Sequence, residues 1–216
     1  MNLDKITDKH LTRAFDPNRA ISEVTFNKFL AFLRSAPSSL NVQPWHFYVM
    51  SSAESKQRLA SSLGDMFEAG NRSKVLAASH AIIVTTRADL PDSHLQSVFA
   101  QENADGRFPE REYRDNWQRS VHDFLDWRTY NFKDITHWME KQTYMTVGLA
   151  MMAAAELGID ALPLEGFDPH SVDAEFKIRE DGYTTTVLLA LGYPDLTQIS
   201  NKPISRLSAD RIFTYI

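Results

Sequence analysis

The 216-residue sequence contains no cysteine. That excludes a disulfide framework, a thiolate zinc site, a cysteine-held iron–sulfur cluster and a CxxC redox pair, so any redox chemistry must reside in a bound cofactor. Nor is there an excess of positive charge: 23 basic against 28 acidic residues leave a formal net charge of −5. No basic stripe stands out, and a nucleic-acid partner is not expected. The sequence has no GxGxxG after a strand, no GxxxxGK[ST] and no GxSxG, so the Rossmann fingerprint, the P-loop and the hydrolase nucleophile elbow are all missing. Its most apolar stretch, Tyr144 to Leu157, falls short of the roughly 20 residues a membrane helix needs, and the start is polar. No membrane association is expected, and the cytoplasm is the expected location. With 8 Gly, 9 Pro, no Gly/Ser-rich linker and no repeat, residues 1–216 read as one domain. The 43% hydrophobic and 24% charged content is that of an ordinary globular chain.

Local patterns supply the elements. Ser22 is placed to cap a helix whose Phe26, Phe29, Leu30 and Leu33 follow the i, i+3, i+4, i+7 stripe. It ends at Ala36-Pro37, since proline disfavours helical geometry in the residue before it. Trp45 to Met50 reads as a strand, and Ser51-Ser52 as the cap of a helix running to Leu63. The continuous apolar run Ala81 to Thr86 suits a central strand covered on both faces. Ser93 to Glu140 reads as helix broken at Asp105-Gly106-Arg107-Phe108-Pro109, and Lys141 to Leu157 as a helix apolar nearly all round, buried in a core or a subunit interface. Ile159 to Leu164 gives a strand, Glu165-Gly166 a turn, Asp168-Pro169 the start of a short helix, and Thr184 to Leu191 another strand. The tail, Arg211 to Ile216, is apolar enough to be a strand or to pack on a partner chain. The mixture is α+β.

Some catalytic combinations are weak. His122, Asp123 and Asp126 lack metal-ligand spacing and read as a solvated helix face, and Ser39/His46 or Ser79/His80 make triads only by proximity in sequence. Three segments are more informative. Lys9-His10-Leu11-Thr12-Arg13 gathers cationic side chains that could clamp a phosphate, although a solvated turn has the same composition. Pro37-Ser38-Ser39-Leu40-Asn41-Val42-Gln43-Pro44 sets four hydrogen-bonding side chains between stiff prolines, which would suit a planar polar ligand as well as a helix-to-strand turn. In Leu162-Pro163-Leu164-Glu165-Gly166-Phe167-Asp168, Gly166 permits close backbone approach to a flat ring.

Taken in order, Arg13-Ala14-Phe15-Asp16, PSSxNxQPWHF over Pro37 to Phe47, Glu165-Gly166-Phe167-Asp168 and Ser205-Arg206-Leu207 resemble the nitroreductase superfamily. The resemblance is nearest to its oxygen-insensitive NAD(P)H nitroreductase and dihydropteridine reductase branch and covers essentially the whole chain. It implies a central, mainly antiparallel sheet flanked by helices, in an intertwined homodimer with two FMN molecules at the subunit interface. NADH or NADPH would reduce the flavin and leave, and a nitroaromatic, quinone or related small acceptor would follow in a two-electron ping-pong cycle. A flavin or dihydropteridine reductase on the same fold, or a non-catalytic FMN-binding protein, are the alternatives.

The resemblance also implies roles. Lys9, His10, Arg13 and Arg206 would hold the FMN phosphate. Asn71 and Lys74 would face the pyrimidine edge, and Glu165 and Gly166 would orient hydride transfer at flavin N5, with no protein nucleophile. Pro37, Ser38, Ser39 and Asn41 would come from the other subunit, while Gln142, Pro163 and Leu164 line the site. Phe124, Asn71, Lys74 and Ser39 would meet substrate, with Phe124 covering it. The chain departs from the family pattern at Leu11 (usually Ser), Lys9 (commonly Arg) and Ile204 (often Lys, with Lys202 the candidate substitute). FMN retention with a weaker phosphate clamp is the expectation.

Overall fold

A computed structural model describes residues 14–65, 68–198 and 205–216, with side chains left out at 68 and 69. Four strands form one antiparallel sheet in the order β1-β2-β4-β3: β1 Trp45–Met50, β2 His80–Arg87, β3 Asp160–Leu164 and β4 Tyr183–Gly192. The two central strands are the continuous apolar runs. Pro163 sits in an edge strand, where its missing N–H breaks no interior ladder.

Alternation along β2 and β4 feeds two cores. Ile82, Val84, Val187, Leu189 and Leu191 meet Phe26, Phe29 and Leu33 of α1 (Glu23–Arg34) and Val147, Ala150 and Ala154 of α6 (Ile135–Glu156). Ala81, Ile83, Leu188 and Ala190 face the opposite way. They meet Leu59 of α2 (Ala53–Ser61), Val75 of α3 (Glu68–Ala77) and Val172 of α7 (Pro169–Phe176). A third apolar cluster stands apart from the sheet, built from α4 (Asp92–Ala104), α5 (Arg111–Asp126), the start of α6 and the loop residues Leu40 and Val42.

The caps agree with the sequence. Ser22 Oγ accepts from Thr25 N, Ser52 forms a reciprocal capping box with Ser55, and Asp168 accepts from His170 N. At Gly192 an added Cβ would lie 2.8 Å from the Phe15 ring. That glycine lets Phe15 close onto the end of β4, where Asp16 N donates to Tyr193 O and Asp195 N to Ala14 O.

Four expectations are corrected. The helix expected from Lys141 begins at Ile135, because the second break falls at a π-helical turn, Trp127–Phe132, closed by left-handed Lys133. Helix α3 was not anticipated; it carries Gly70 and no clean apolar stripe. The helix after Ser52 ends at Ser61 rather than Leu63. The tail forms a helical turn, α8 (Ala209–Ile212), then an exposed extended end rather than a paired strand, with Arg211 N and Phe213 N donating within the turn to Ser208 O and Ala209 O.

Candidate active site

The loop between α1 and β1 is conformationally strained. Leu40, Asn41 and Gln43 have φ of 57°, 55° and 44°, in the left-handed region that costs a non-glycine residue about 1–3 kcal/mol. Specific bonds hold it there. Ser39 N donates to Gln142 Oε1 at 2.9 Å, Gln43 N to Ser38 Oγ at 3.0 Å, and Gln43 Nε2 to Asn41 Oδ1 at 3.2 Å. His94 Nε2 lies 2.7 Å from Val42 O, and Asn41 Nδ2 donates to Glu102 Oε1 at 2.9 Å.

A second group of polar atoms meets at the turn after β3. Buried Leu164 and Phe167 flank Glu165 and Gly166, and Asp168 N ties the turn to Leu63 O at 2.8 Å. From α3, Asn71 Nδ2 donates to Gly166 O at 2.7 Å and Lys74 Nζ to Asn71 Oδ1 at 3.0 Å. From α6, the Tyr144 hydroxyl donates to Glu165 Oε1 at 2.9 Å. Burial, then that carboxylate, pushes the Tyr144 hydroxyl up to about 12, so it stays a protonated donor.

Helix α6 separates the two groups. Gln142 and Tyr144 are two residues apart, about 200° around the helix, so they serve opposite sides. Thr143, between them, is fixed to the sheet by Thr86 Oγ1 at 2.8 Å, next to a register shift in the β2–β4 ladder. Phe124 of α5 lies near the Ser39 side, with Trp127 and Trp138 rings at 6.0 and 5.6 Å and the Arg128 guanidinium at 5.4 Å. The donor set suits a flavin. A pyrimidinedione edge carries carbonyl acceptors and an N–H, and here the Lys74 ammonium, the Asn71 amide and Gly166, which has no side chain, come together.

The sequence profile of the nitroreductase family matches residues 6–193. An oxygen-insensitive NAD(P)H nitroreductase of Salmonella typhimurium is 36% identical over 209 residues, 96% of each chain. The chain belongs to the nitroreductase family. The major NAD(P)H-flavin oxidoreductase of Aliivibrio fischeri is 27% identical over 213 residues, covering 98% of this chain and 96% of its own. A crystal structure from Exiguobacterium sibiricum, described as a nitroreductase in complex with FMN, superposes with a TM-score of 0.82 at 22% identity, covering 99% and 96% of the two chains.

Within this nitroreductase-family chain, the residues expected at a site separate into sets. Asn71, Lys74 and Gly166 are joined by hydrogen bonds, with Glu165 preceding Gly166 and bonded to Tyr144, and Pro163 and Leu164 leading into their turn. Ser38, Ser39, Asn41 and Gln142 are joined in the other group, which Pro37 opens. Arg206 is exposed and donates locally to Ser205 O at 2.7 Å. Lys9, His10, Leu11, Arg13, Lys202 and Ile204 lie outside the described residues. Ser79 Oγ and His80 Nδ1 are 3.0 Å apart, but Ser79 also accepts from Ile21 N and His80 stacks on Phe26, which makes them a packing seam. His46 faces Tyr48 and Tyr183, and His122 faces Asp92 and Phe99.

Two polar residues were missed as participants. Glu102 stands at the +7 position of the α4 stripe Leu95, Val98, Phe99, where a carboxylate is out of place, and that was the signal to read. Tyr144 had no such signal, because it shares an exposed apolar stripe with Met145 and Met151.

Proposed function

We propose that the protein is a single-domain, FMN-dependent NAD(P)H oxidoreductase that reduces nitroaromatics, quinones or related small acceptors. The observation that carries this reading is the convergence of Asn71, Lys74 and Gly166 beside Glu165. FMN, when bound, supplies reversible two-electron transfer between a nicotinamide and an acceptor. Protein residues supply orientation and electrostatics. Lys74 would place a positive charge at the pyrimidine edge of a bound flavin, where negative charge accumulates on reduction. The Asn71–Gly166 bond fixes the turn whose backbone would meet the flavin ring. Tyr144 holds the Glu165 carboxylate aside by its hydroxyl. Lys9, His10, Arg13 and Arg206 bind the phosphate, and Phe124 covers the acceptor.

Placement of Ser39 and Glu165 on opposite sides of α6 supports a site shared between two chains, with Pro37, Ser38, Ser39 and Asn41 given to the partner's flavin. The exposed stripe Tyr144, Met145, Gly148 and Met151, and the apolar tail with Phe213 and Ile216, supply the homodimer surface. A light-scattering mass near one 24.6 kDa chain would refute the dimer. A cytoplasmic setting goes with this reading because the electron donor is a reduced nicotinamide. Among the described residues no helix is long and apolar enough to cross a membrane.

The test is titration of apo-protein with FMN, followed by anaerobic mixing with NADH or NADPH. Flavin uptake and bleaching are expected, then re-oxidation by acceptors. Protein that takes up no FMN sinks the reading, and FMN that neither nicotinamide bleaches makes the protein a binding protein only. Similarity to the Aliivibrio fischeri flavin oxidoreductase supports placing free flavin, with a dihydropteridine, in the acceptor panel beside nitrofurazone and menadione.

A further inference from the structure

Glu102 is 3% exposed and lies in the core-facing register of α4 with Leu95, Val98 and Phe99. Such a carboxylate must be compensated. Its Oε1 accepts from Asn41 Nδ2 at 2.9 Å, its Oε2 from Trp117 Nε1 at 3.1 Å, and Arg107 Nη1 stands 3.4 Å away. These partners belong to the strained loop, to α5 and to the turn between α4 and α5. Apolar packing between the helices does not by itself call for a charge at this position.

What the carboxylate adds is direction. Taking the Asn41 amide N–H₂ leaves Asn41 Oδ1 to accept from Gln43 Nε2, which fixes the amide and with it two of the three left-handed residues. Taking the Trp117 indole N–H on its other oxygen locks α5 to the same group. The apolar surroundings follow the same path: Leu40 and Val42 of the loop share one cluster with Trp117 and Phe124.

We propose that Glu102 is a positioning residue that holds the Ser38–Gln43 loop in shape for FMN and ties that shape to α5, so that the cofactor loop and the acceptor-covering helix act as one unit. The proposal rests on the reading of the loop as part of the FMN site.

The test compares wild type, Glu102→Gln, Trp117→Phe and the double variant. A glutamine presents one acceptor oxygen and one N–H₂ group, so it cannot accept from Asn41 and Trp117 together. Glu102→Gln is expected to raise the FMN dissociation constant about tenfold and Trp117→Phe about threefold, magnitudes appropriate to lost hydrogen bonds. The double variant should match Glu102→Gln within about twofold, since coupled residues are not additive. At saturating FMN, both single variants should raise acceptor KM by a larger factor than they lower kcat, which a general loosening of the fold would not do.

Unchanged FMN affinity, or single effects that multiply in the double variant, would overturn the proposal. Should Glu102→Gln not fold, Trp117→Phe decides alone: weaker FMN binding from an indole lacking any bond to the loop supports it, and unchanged binding sinks it. Wild-type protein that binds no FMN would instead overturn the proposed function, which keeps the two failures distinct.

Discussion

Ile83 in β2 and Leu125 in α5 are both buried leucine-sized side chains, 0% and 7% exposed, yet their surroundings differ in kind. Around Ile83 the sheet is covered on both faces, its two inner strands carry continuous apolar stretches (Ala81 to Val84 and Val187 to Leu191), and the strands are joined by antiparallel ladders. Around Leu125 three helices and a loop meet with no sheet beneath. A buried carboxylate, stacked cations and three left-handed residues do the joining. One region is specified by burial. The other is specified by directed polar contacts that hold strain, as expected where a ligand must be gripped.

The largest expected effect tests that contrast directly. Ile83→Ala should lower unfolding free energy by about 2–5 kcal/mol, the range for truncating a buried aliphatic that the surroundings cannot refill. Leu125→Ala should fall at or below the bottom of that range, because helices without a sheet behind them can settle inward. Equal losses in urea unfolding would break the comparison. Next in size, Asn71→Ala should raise the FMN dissociation constant about tenfold, about 1.4 kcal/mol, through release of the Gly166 turn. Apo-protein stability should change less than in Ile83→Ala. A variant that binds FMN normally would remove Asn71 from the site.

The same contrast decides what was legible in the sequence. Strands Trp45–Met50 and Tyr183–Gly192, the Ser22 and Ser52 caps and the Asp168-Pro169 helix start all followed from period, caps and apolar runs. These features are local or respond to burial alone. The site's residue types were legible through the ordered motifs at Pro37 to Phe47 and Glu165 to Asp168. Its geometry was not, because φ at Leu40 and Asn41 is imposed by Gln142, His94 and Glu102, which lie 50 or more residues away in the chain. The start of α6 was misplaced for a related reason. The turn at Trp127–Phe132 is set by Arg128, which bonds Asp134 at 2.9 Å and sits over Phe124 and Phe132, and no propensity signals it.

A pH series sharpens the comparison through one histidine from each region. Burial, reinforced by the Lys56 charge, pulls His80 below its ordinary value. Burial, with the Arg87 charge, also pulls His94 down, but its bond to the Val42 carbonyl opposes the shift. A depressed folded pKa means that the unfolded chain takes up protons first. Stability is therefore complete above the unfolded value of about 6.5 and is lost as pH falls below it. Unfolding free energy measured from pH 7.5 downward should decline for wild type. Replacing His80 by Asn should flatten that decline more than replacing His94, since the causes at His80 act in concert. The reverse order would show that the loop, not the sheet seam, governs acid sensitivity.

The smallest expected effect asks whether strain has the same meaning in both regions. Lys177, at the end of α7, and Lys133, at the end of the π-helical turn, hold nearly the same left-handed geometry, with φ of 56° and 54°. Glycine adopts it without a Cβ penalty, offset in part by greater freedom of the unfolded chain. Each Lys→Gly change should therefore gain about 0.5–1 kcal/mol, on the order of 1–4 °C in Tm for a chain of this length. The two should diverge in function. Lys177 is exposed at the end of a helix that packs on the sheet core, and Lys177→Gly should leave acceptor KM unchanged. Lys133→Gly loosens the joint between the turn behind Phe124 and the helix carrying Gln142, and should raise acceptor KM a few fold despite its higher Tm. If both variants gain stability and neither alters KM, left-handed strain at Lys133 is as incidental as that at Lys177, and the functional strain is confined to Leu40, Asn41 and Gln43.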